Sequence, residues 1–235
     1  MPIKTGSKQL VLCHLPKTGG KTFREILMNQ FDEKPYAFQP NDAGLSAKKQ
    51  RSTYRSADVV CGHWNFNWVY PYLKKDRLMF VFLRDPVERG LSLYNYWTKV
   101  RGNIPVARKI REEHWTVDAF FQRHDPEKDP WLYAYMTFLG MTTNGRQSVY
   151  EITDRAKANL ELFDFIGTTE NFKKDLQRVK EKFGFDIKYR SKNVTPDWAK
   201  RTTLTQDQRM TFSLLMQPEY EIYEHAKELA YGYGH

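Results

Sequence analysis

Two short stretches of this chain combine residue types suited to holding anions. In His14-Leu15-Pro16-Lys17-Thr18-Gly19-Gly20-Lys21-Thr22, paired glycines stand between two lysines and two threonines. Glycine lets a backbone approach an anion closely, and a helix that starts directly after the pair turns unpaired N–H groups towards it. Lys17 and Lys21 add charge, and the hydroxyls of Thr18 and Thr22 add donors. The second stretch, Arg84-Asp85-Pro86-Val87-Glu88-Arg89, is followed by Ser92. If Arg84 closes a strand and Pro86 opens a helix, Ser92 lies about two turns into that helix. The arginine fork and the serine hydroxyl can then converge on one phosphate. The plainer reading, a surface pair between Arg84 and an acidic neighbour, would contribute little. His63, in Cys61-Gly62-His63-Trp64, is a candidate general base, because a histidine titrates near neutrality and can accept a hydroxyl proton. His14, beside the glycine turn, is its rival.

These groups need a scaffold that brings them to one edge. Gln9 to His14, Ala57 to Cys61, Leu78 to Leu83 and Phe163 to Ile166 read as strands, the third an uninterrupted apolar run of the kind found in a parallel sheet covered on both faces. Helical patterns lie between them. One carries Phe23, Ile26, Leu27 and Phe31; another repeats Phe172, Leu176, Val179 and Phe183 before Gly184. A capping-box match at Thr205 and Gln208 opens a further helix that Pro218 interrupts, with Ile222, Tyr223, Ala226 and Leu229 on a last one. The segment from Arg101 to Gly145 reads as helical and rich in aromatic residues. Strands alternating with helices predict an α/β fold whose ligands bind beyond the carboxyl ends of parallel strands, where both anion motifs and His63 fall.

With 235 residues and no low-complexity divider, the chain reads as a single domain, residues 1–235. Its net charge of +9 favours anionic partners. Basic residues gather at Lys48, Lys49, Arg51 and Arg55, between Lys99 and Arg111, and between Lys188 and Arg201, where solvated faces would explain them equally well. The two cysteines, Cys13 and Cys61, lie in apolar strand-like runs and read as buried free thiols, with no disulfide framework and no zinc site. No apolar run approaches a signal-peptide core or membrane span, so a cytoplasmic protein is expected, though a trimmed lumenal chain would look the same. Asn193-Val194-Thr195 would be a glycosylation sequon only in a secretory lumen. The aromatic run Trp64, Phe66, Trp68, Tyr70 and Tyr72 suits sugar stacking or core packing alike.

In its motifs the sequence resembles the carbohydrate sulfotransferases. Pro16-Lys17-Thr18-Gly19-Gly20 is similar to their 5′-phosphosulfate loop, and Arg84-Asp85-Pro86-Val87-Glu88-Arg89 with Ser92 and Tyr94 to their 3′-phosphate motif. The nearest similarity is to the heparan and uronyl 2-O- and 6-O-sulfotransferase group, with Ile166-Gly167-Thr168-Thr169-Glu170 and Asn193-Val194-Thr195-Pro196 as weaker landmarks. One departure is Lys21, where family members usually carry a small hydroxyl residue, with Thr22 following it. The resemblance implies a P-loop-like central parallel sheet flanked by helices, no catalytic metal, and 3′-phosphoadenosine 5′-phosphosulfate (PAPS) as donor, leaving adenosine 3′,5′-bisphosphate. It also implies a hydroxyl-bearing acceptor, a glycan by the same resemblance, and a base in a Gly-His element like that of His63. On this reading His63 deprotonates the acceptor and Lys17 stabilises the leaving phosphate oxygen. Gly19, Gly20, Lys21 and Thr22, with Thr18, hold the 5′-phosphate, and Arg84 and Ser92 hold the 3′-phosphate.

Two other functions fit parts of the pattern. Gly20-Lys21-Thr22 matches the tail of a Walker A loop, so an ATP- and magnesium-dependent kinase or nucleotidase would use Asp85 as the metal carboxylate. That loop needs a glycine where Leu15 stands, and Pro16 makes the turn stiffer than a Walker A loop. A nucleic-acid-binding module could use the positive charge, but no recognition motif accompanies it, and no nucleic-acid partner is expected.

Overall fold

The computed structural model describes residues 8–38, 47–99, 105–122, 129–142, 146–189 and 202–232. Five parallel strands, β1 (Gln9–Cys13), β2 (Ala37–Phe38), β3 (Val59–Gly62), β4 (Arg77–Leu83) and β5 (Phe165–Thr168), form one sheet in the order β2-β3-β1-β4-β5. The helices are α1 (Gly20–Met28), α2 (Ala47–Ser56), α3 (Phe66–Val69), α4 (Pro86–Trp97), α5 (Pro105–Glu112), α6 (Val117–Gln122), α7 (Val149–Leu160), α8 (Phe172–Phe183), α9 (Gln206–Leu215) and α10 (Gln217–Tyr231). A single π-helical turn spans Met136–Gly140. This is the expected α/β, P-loop-like arrangement, a central parallel sheet flanked by helices.

The apolar strands are continuous because both faces of the sheet are covered. Val11, Cys13, Val60, Met79, Val81 and Leu83 face a core built with α4, α6, α7, α9 and α10. Leu10, Leu12, Val59, Cys61, Phe80 and Phe82 face a second core with α1 and α8. Cys13 and Cys61 are therefore buried free thiols in different cores, on opposite faces of neighbouring strands. Burial pushes both thiols well above their ordinary range, which keeps them protonated and inert.

Strand ends differ from the sequence reading by one or two residues, and β5 starts later than expected because Leu160 ends α7 and Phe163 closes the next turn on the Leu160 carbonyl. The two-residue β2 carries no periodicity by which the sequence could announce it. Gly184 ends α8 at φ +70°, and Thr205 and Gln208 form a full capping box on α9. Pro218 sits in the first turn of α10, so it starts a helix as well as stopping one. The landmark at Asn193 to Pro196 and most of the third basic run lie outside the described residues. Among the described residues no helix is long and apolar enough to cross a membrane.

Arg89 and Glu219 are fully buried and paired at 2.9 Å. The guanidinium also donates to the carbonyls of Trp131 and Leu132, while the carboxylate accepts the N–H groups of Tyr135 and Met136. One ion pair thus ties α4 and α10 to the 129–140 segment. Removing one partner strands a buried charge, so Glu219→Ala is expected to lower unfolding stability by about 3–5 kcal/mol. Urea denaturation measures it, and a loss below about 1 kcal/mol would assign the segment's anchorage elsewhere.

Candidate active site

The sheet order puts β1 between β3 and β4, and the chain leaves the carboxyl ends of all three strands through a motif of interest. Register pairs Cys13 with Gly62 on one side and with Val81 on the other. The glycine turn after β1 is therefore flanked by His63 after β3 and by Arg84 after β4. Strand order reverses between β1 and β4, which is where such sheets open a ligand crevice.

In the turn, Lys17 adopts φ +68° and Gly19 φ +80°. A lysine in the left-handed region is strained, a feature that collects at ligand loops. Gly19 caps α1 without a side-chain hydrogen bond, so the first N–H groups of that helix are left for an anion. Gly20 is required by its neighbour: a Cβ there would stand 1.9 Å from Cδ2 of His14. Thr18 turns inward, its hydroxyl donating to the Leu15 carbonyl at 2.8 Å, so its side chain shapes the loop. Thr22 is buried in the first turn of α1 and Lys21 is exposed. Burial, followed by the nearby charges of Lys21 and Arg84, holds the Lys17 ammonium below the usual lysine range. The two anion motifs therefore feel each other's charge across one crevice.

Arg84 is fixed from three sides. The Tyr135 hydroxyl accepts from the Arg84 N–H at 2.8 Å and donates to the Arg84 carbonyl. Thr169 donates to the Leu83 carbonyl through both its N–H and its hydroxyl. Glu170 accepts the Asp85 N–H and a hydrogen bond from Tyr223. The landmark around Gly167 to Glu170 is thus a brace for the Arg84 loop. The half-buried Arg84 guanidinium lies 3.7 Å from Glu88, one turn before Ser92 on the same face of α4. Glu88 also pairs with Arg209 of α9 at 2.6 Å. Ser92 is half-buried on that face, and one further turn along, the Tyr96 ring meets the Lys17 ammonium at 4.4 Å. The same stripe of α4 thus faces the cradle. Tyr94, part of the motif resemblance, is turned away: it is buried and its hydroxyl donates to the Trp115 carbonyl.

Asp85 caps α4, with one carboxylate oxygen accepting the Glu88 N–H at 2.9 Å and the other the Tyr220 hydroxyl at 2.8 Å. Both oxygens are committed to the fold, which argues against Asp85 as a metal carboxylate.

His63 approaches the cradle from the β3 side. Its Nδ1 lies 2.5 Å from the His14 carbonyl, which can only accept, so Nδ1 carries the proton and Nε2 keeps its lone pair in the neutral ring. Burial lowers the His63 pKa, and the hydrogen bond to His14 opposes that shift. His14 packs against His63 with ring centroids 4.4 Å apart and the rings tilted by 33°, and burial lowers its pKa to about 3. Its imidazole fills the space over Gly20 and is a wall of the cradle. Trp131 and Phe138 complete the surroundings of His63, with Trp131 meeting its ring edge-on at 5.3 Å. Within the aromatic run, Trp64 and Phe66 are core residues and Trp68 is exposed.

Residues 3–225 match the Sulfotransferase family. The chain belongs to that family, whose sulfuryl donor is PAPS. Among solved structures it is similar to a sulfotransferase from Alicyclobacillus acidocaldarius, with a TM-score of 0.49 and 12% identity over 95% of this chain and 96% of that one. It is also similar to mouse sulfotransferase SULT7A1 complexed with PAP, at a TM-score of 0.40 and 14% identity over 95% of this chain and 89% of that one. No curated protein sequence matches.

Sequence reasoning missed Tyr96, Arg209, Trp131, Phe138 and the brace formed by Tyr135 and Glu170. Tyr96 could have been found, since it stands four residues after Ser92 on a helix. The others reach the site only through tertiary packing. Because His14 occupies the space a side chain at position 20 would need, Gly20→Ala is expected to weaken adenosine 3′,5′-bisphosphate binding at least tenfold by calorimetry. An unchanged affinity would mean that the anion does not sit at the start of α1.

Proposed function

We propose that this sulfotransferase transfers the sulfuryl group of PAPS to a carbohydrate hydroxyl, with His63 as the general base and Lys17 at the leaving phosphate oxygen. The observation that carries the reading is the fixed tautomer of His63: the His14 carbonyl takes the Nδ1 proton, which leaves Nε2 free to accept another beside the anion cradle. PAPS, when bound, supplies an activated sulfuryl group on a stable leaving phosphate. The cradle has the character such a bisphosphorylated donor needs, with uncapped N–H groups at the start of α1 and three cations, Lys17, Lys21 and Arg84, around one crevice.

On this reading the amides of Gly19 and Gly20, with Lys21 and Thr22, hold the 5′-phosphate, and Thr18 shapes the loop from within. Arg84 and Ser92, on the facing side of the crevice, hold the 3′-phosphate. Lys17 stabilises negative charge as it grows on the leaving oxygen. His63 takes the hydroxyl proton on Nε2 as the acceptor oxygen attacks. Catalysis then consists of positioning and charge stabilisation, with no covalent intermediate on the protein. With cations and backbone donors at the reacting centre, and Asp85 occupied as a helix cap, the scheme runs without a metal.

A carbohydrate acceptor is favoured by the motif resemblance to the heparan and uronyl group. The half-exposed Trp131 beside His63 adds an apolar ring at the place where the acceptor would enter, a surface suited to the face of a sugar.

A radiolabelled sulfate transfer screen over polysaccharides, oligosaccharides and small alcohols tests the acceptor class, and transfer confined to small alcohols would refute it. His63→Ala should lower kcat by about 10²–10⁴ and leave adenosine 3′,5′-bisphosphate affinity nearly unchanged. Near-normal turnover would move the base elsewhere. The neutral imidazole is the active form and its pKa is depressed, so activity should persist below the ordinary histidine value of about 6.5 and fall only as pH drops through the lowered pKa. An acid limb above that value is the contrary result. Excess chelator should leave turnover intact; loss restored only by magnesium would refute the metal-free scheme.

A further inference from the structure

The stem of Lys17 is a flexible alkyl chain on a strained loop, and its charged neighbours push its head away from the crevice. Lys21 faces it from α1 and Arg84 from the end of β4. Among the described residues no carboxylate pairs with it, since Glu88, on the helix that faces the turn, is taken up by Arg84 and Arg209. Left to these forces, the ammonium would swing into water, far from any leaving oxygen.

What opposes this is the ring of Tyr96, whose centroid lies 4.4 Å from the Lys17 ammonium. Tyr96 has no packing reason to be aromatic. It is 45% exposed, while Tyr94 and Trp97 on the same helix are buried in the core. Its ring therefore spends its surface on the lysine, and the face of an aromatic ring attracts a cation. The geometry also chooses the side: Tyr96 comes one turn after Ser92, so the ammonium held on the ring stays at the crevice between the glycine turn and α4.

We propose that Tyr96 is a positioning residue for Lys17, its ring holding the ammonium at the mouth of the β1/β4 crevice where the donor's phosphates would lie. The inference rests on the reading of Lys17 as a cation for the donor's 5′ end and adds the group that keeps it there. The ring matters and the hydroxyl does not, so phenylalanine should replace tyrosine and leucine should not. Because the ring holds the ammonium partly buried and beside Lys21 and Arg84, its loss should release the ammonium to water and raise the lysine's pKa towards the ordinary lysine range.

Reductive methylation with ¹³C-formaldehyde gives each lysine an NMR signal, and Lys17→Met identifies that of Lys17. The Lys17 signal should be shifted upfield by the ring in the unsubstituted protein and in Tyr96→Phe. In Tyr96→Leu the shift should vanish and the titration midpoint should move to higher pH. Calorimetry with adenosine 3′,5′-bisphosphate should show about three- to tenfold weaker binding for Tyr96→Leu and little change for Tyr96→Phe. Tyr96 is at the surface, and circular dichroism checks that both variants fold. An unchanged signal and midpoint in Tyr96→Leu would overturn the proposal. Lys17→Met tests the underlying reading separately, with an expected loss of at least tenfold in nucleotide affinity. If that variant bound the nucleotide as well as the parent, the role of Lys17 would fall, and the positioning role of Tyr96 with it, even if the ring contact were seen.

Discussion

Parallel pairing of β1 with β3 on one side and β4 on the other is the constraint that creates the site. Strands in register, about 4.8 Å apart, must release their chains at one edge, and here the three chains that emerge carry the glycine turn, His63 and Arg84. The residues need no long reach to meet. The same pairing explains why β1, β3 and β4 are nearly devoid of polar side chains, since a central parallel strand is covered on both faces and can display chemistry only where it ends.

Such an edge concentrates charge as well as residues. Lys17, Lys21 and Arg84 crowd one crevice, and the depressed pKa of Lys17 records their mutual repulsion on top of its burial. The loop is held in a strained conformation, with Lys17 and Gly19 both at positive φ. Neither feature stabilises the folded chain. Both become favourable when an anion occupies the cradle, because it neutralises the cations and satisfies the first N–H groups of α1. On the proposed reading the site is built for a bound state, and the rest of the fold holds it ready.

That support comes from a polar framework behind the crevice. Buried Arg89 and Glu219 lock the 129–140 segment to α4 and α10, which brings Tyr135 against the Arg84 peptide and Trp131 and Phe138 against His63. Asp85, Tyr220, Glu170 and Tyr223 link the same loop to β5 and α10. The motif Arg84 to Arg89 therefore divides its labour. Its first residue faces the crevice, its Asp caps a helix, and its last residue is wholly inside the core.

The sequence alone determined the elements that depend on local chemistry. Apolar runs gave the four longer strands, glycine and proline marked α1, α4 and the end of α8, and the capping box opened α9. The two candidate anion motifs and Gly-His63 could be picked out because each lies within a few consecutive residues whose types suit a task, and the parallel sheet brings them to one edge. The two-residue β2 could not be picked out, because so short a strand is set by its neighbour and leaves no pattern of its own. Tertiary structure alone decided which neighbouring groups complete the site. Arg209, Trp131, Phe138, Tyr135 and Glu170 stand dozens of residues from the motifs they serve and reach them only when helices pack. It also decided which motif residues face inward. Thr18 reads as a ligand group in the linear sequence, and Tyr94 and Arg89 belong to the second motif, but the hydrogen bonds that satisfy a buried hydroxyl or guanidinium depend on backbone carbonyls and side chains that only the folded chain brings near.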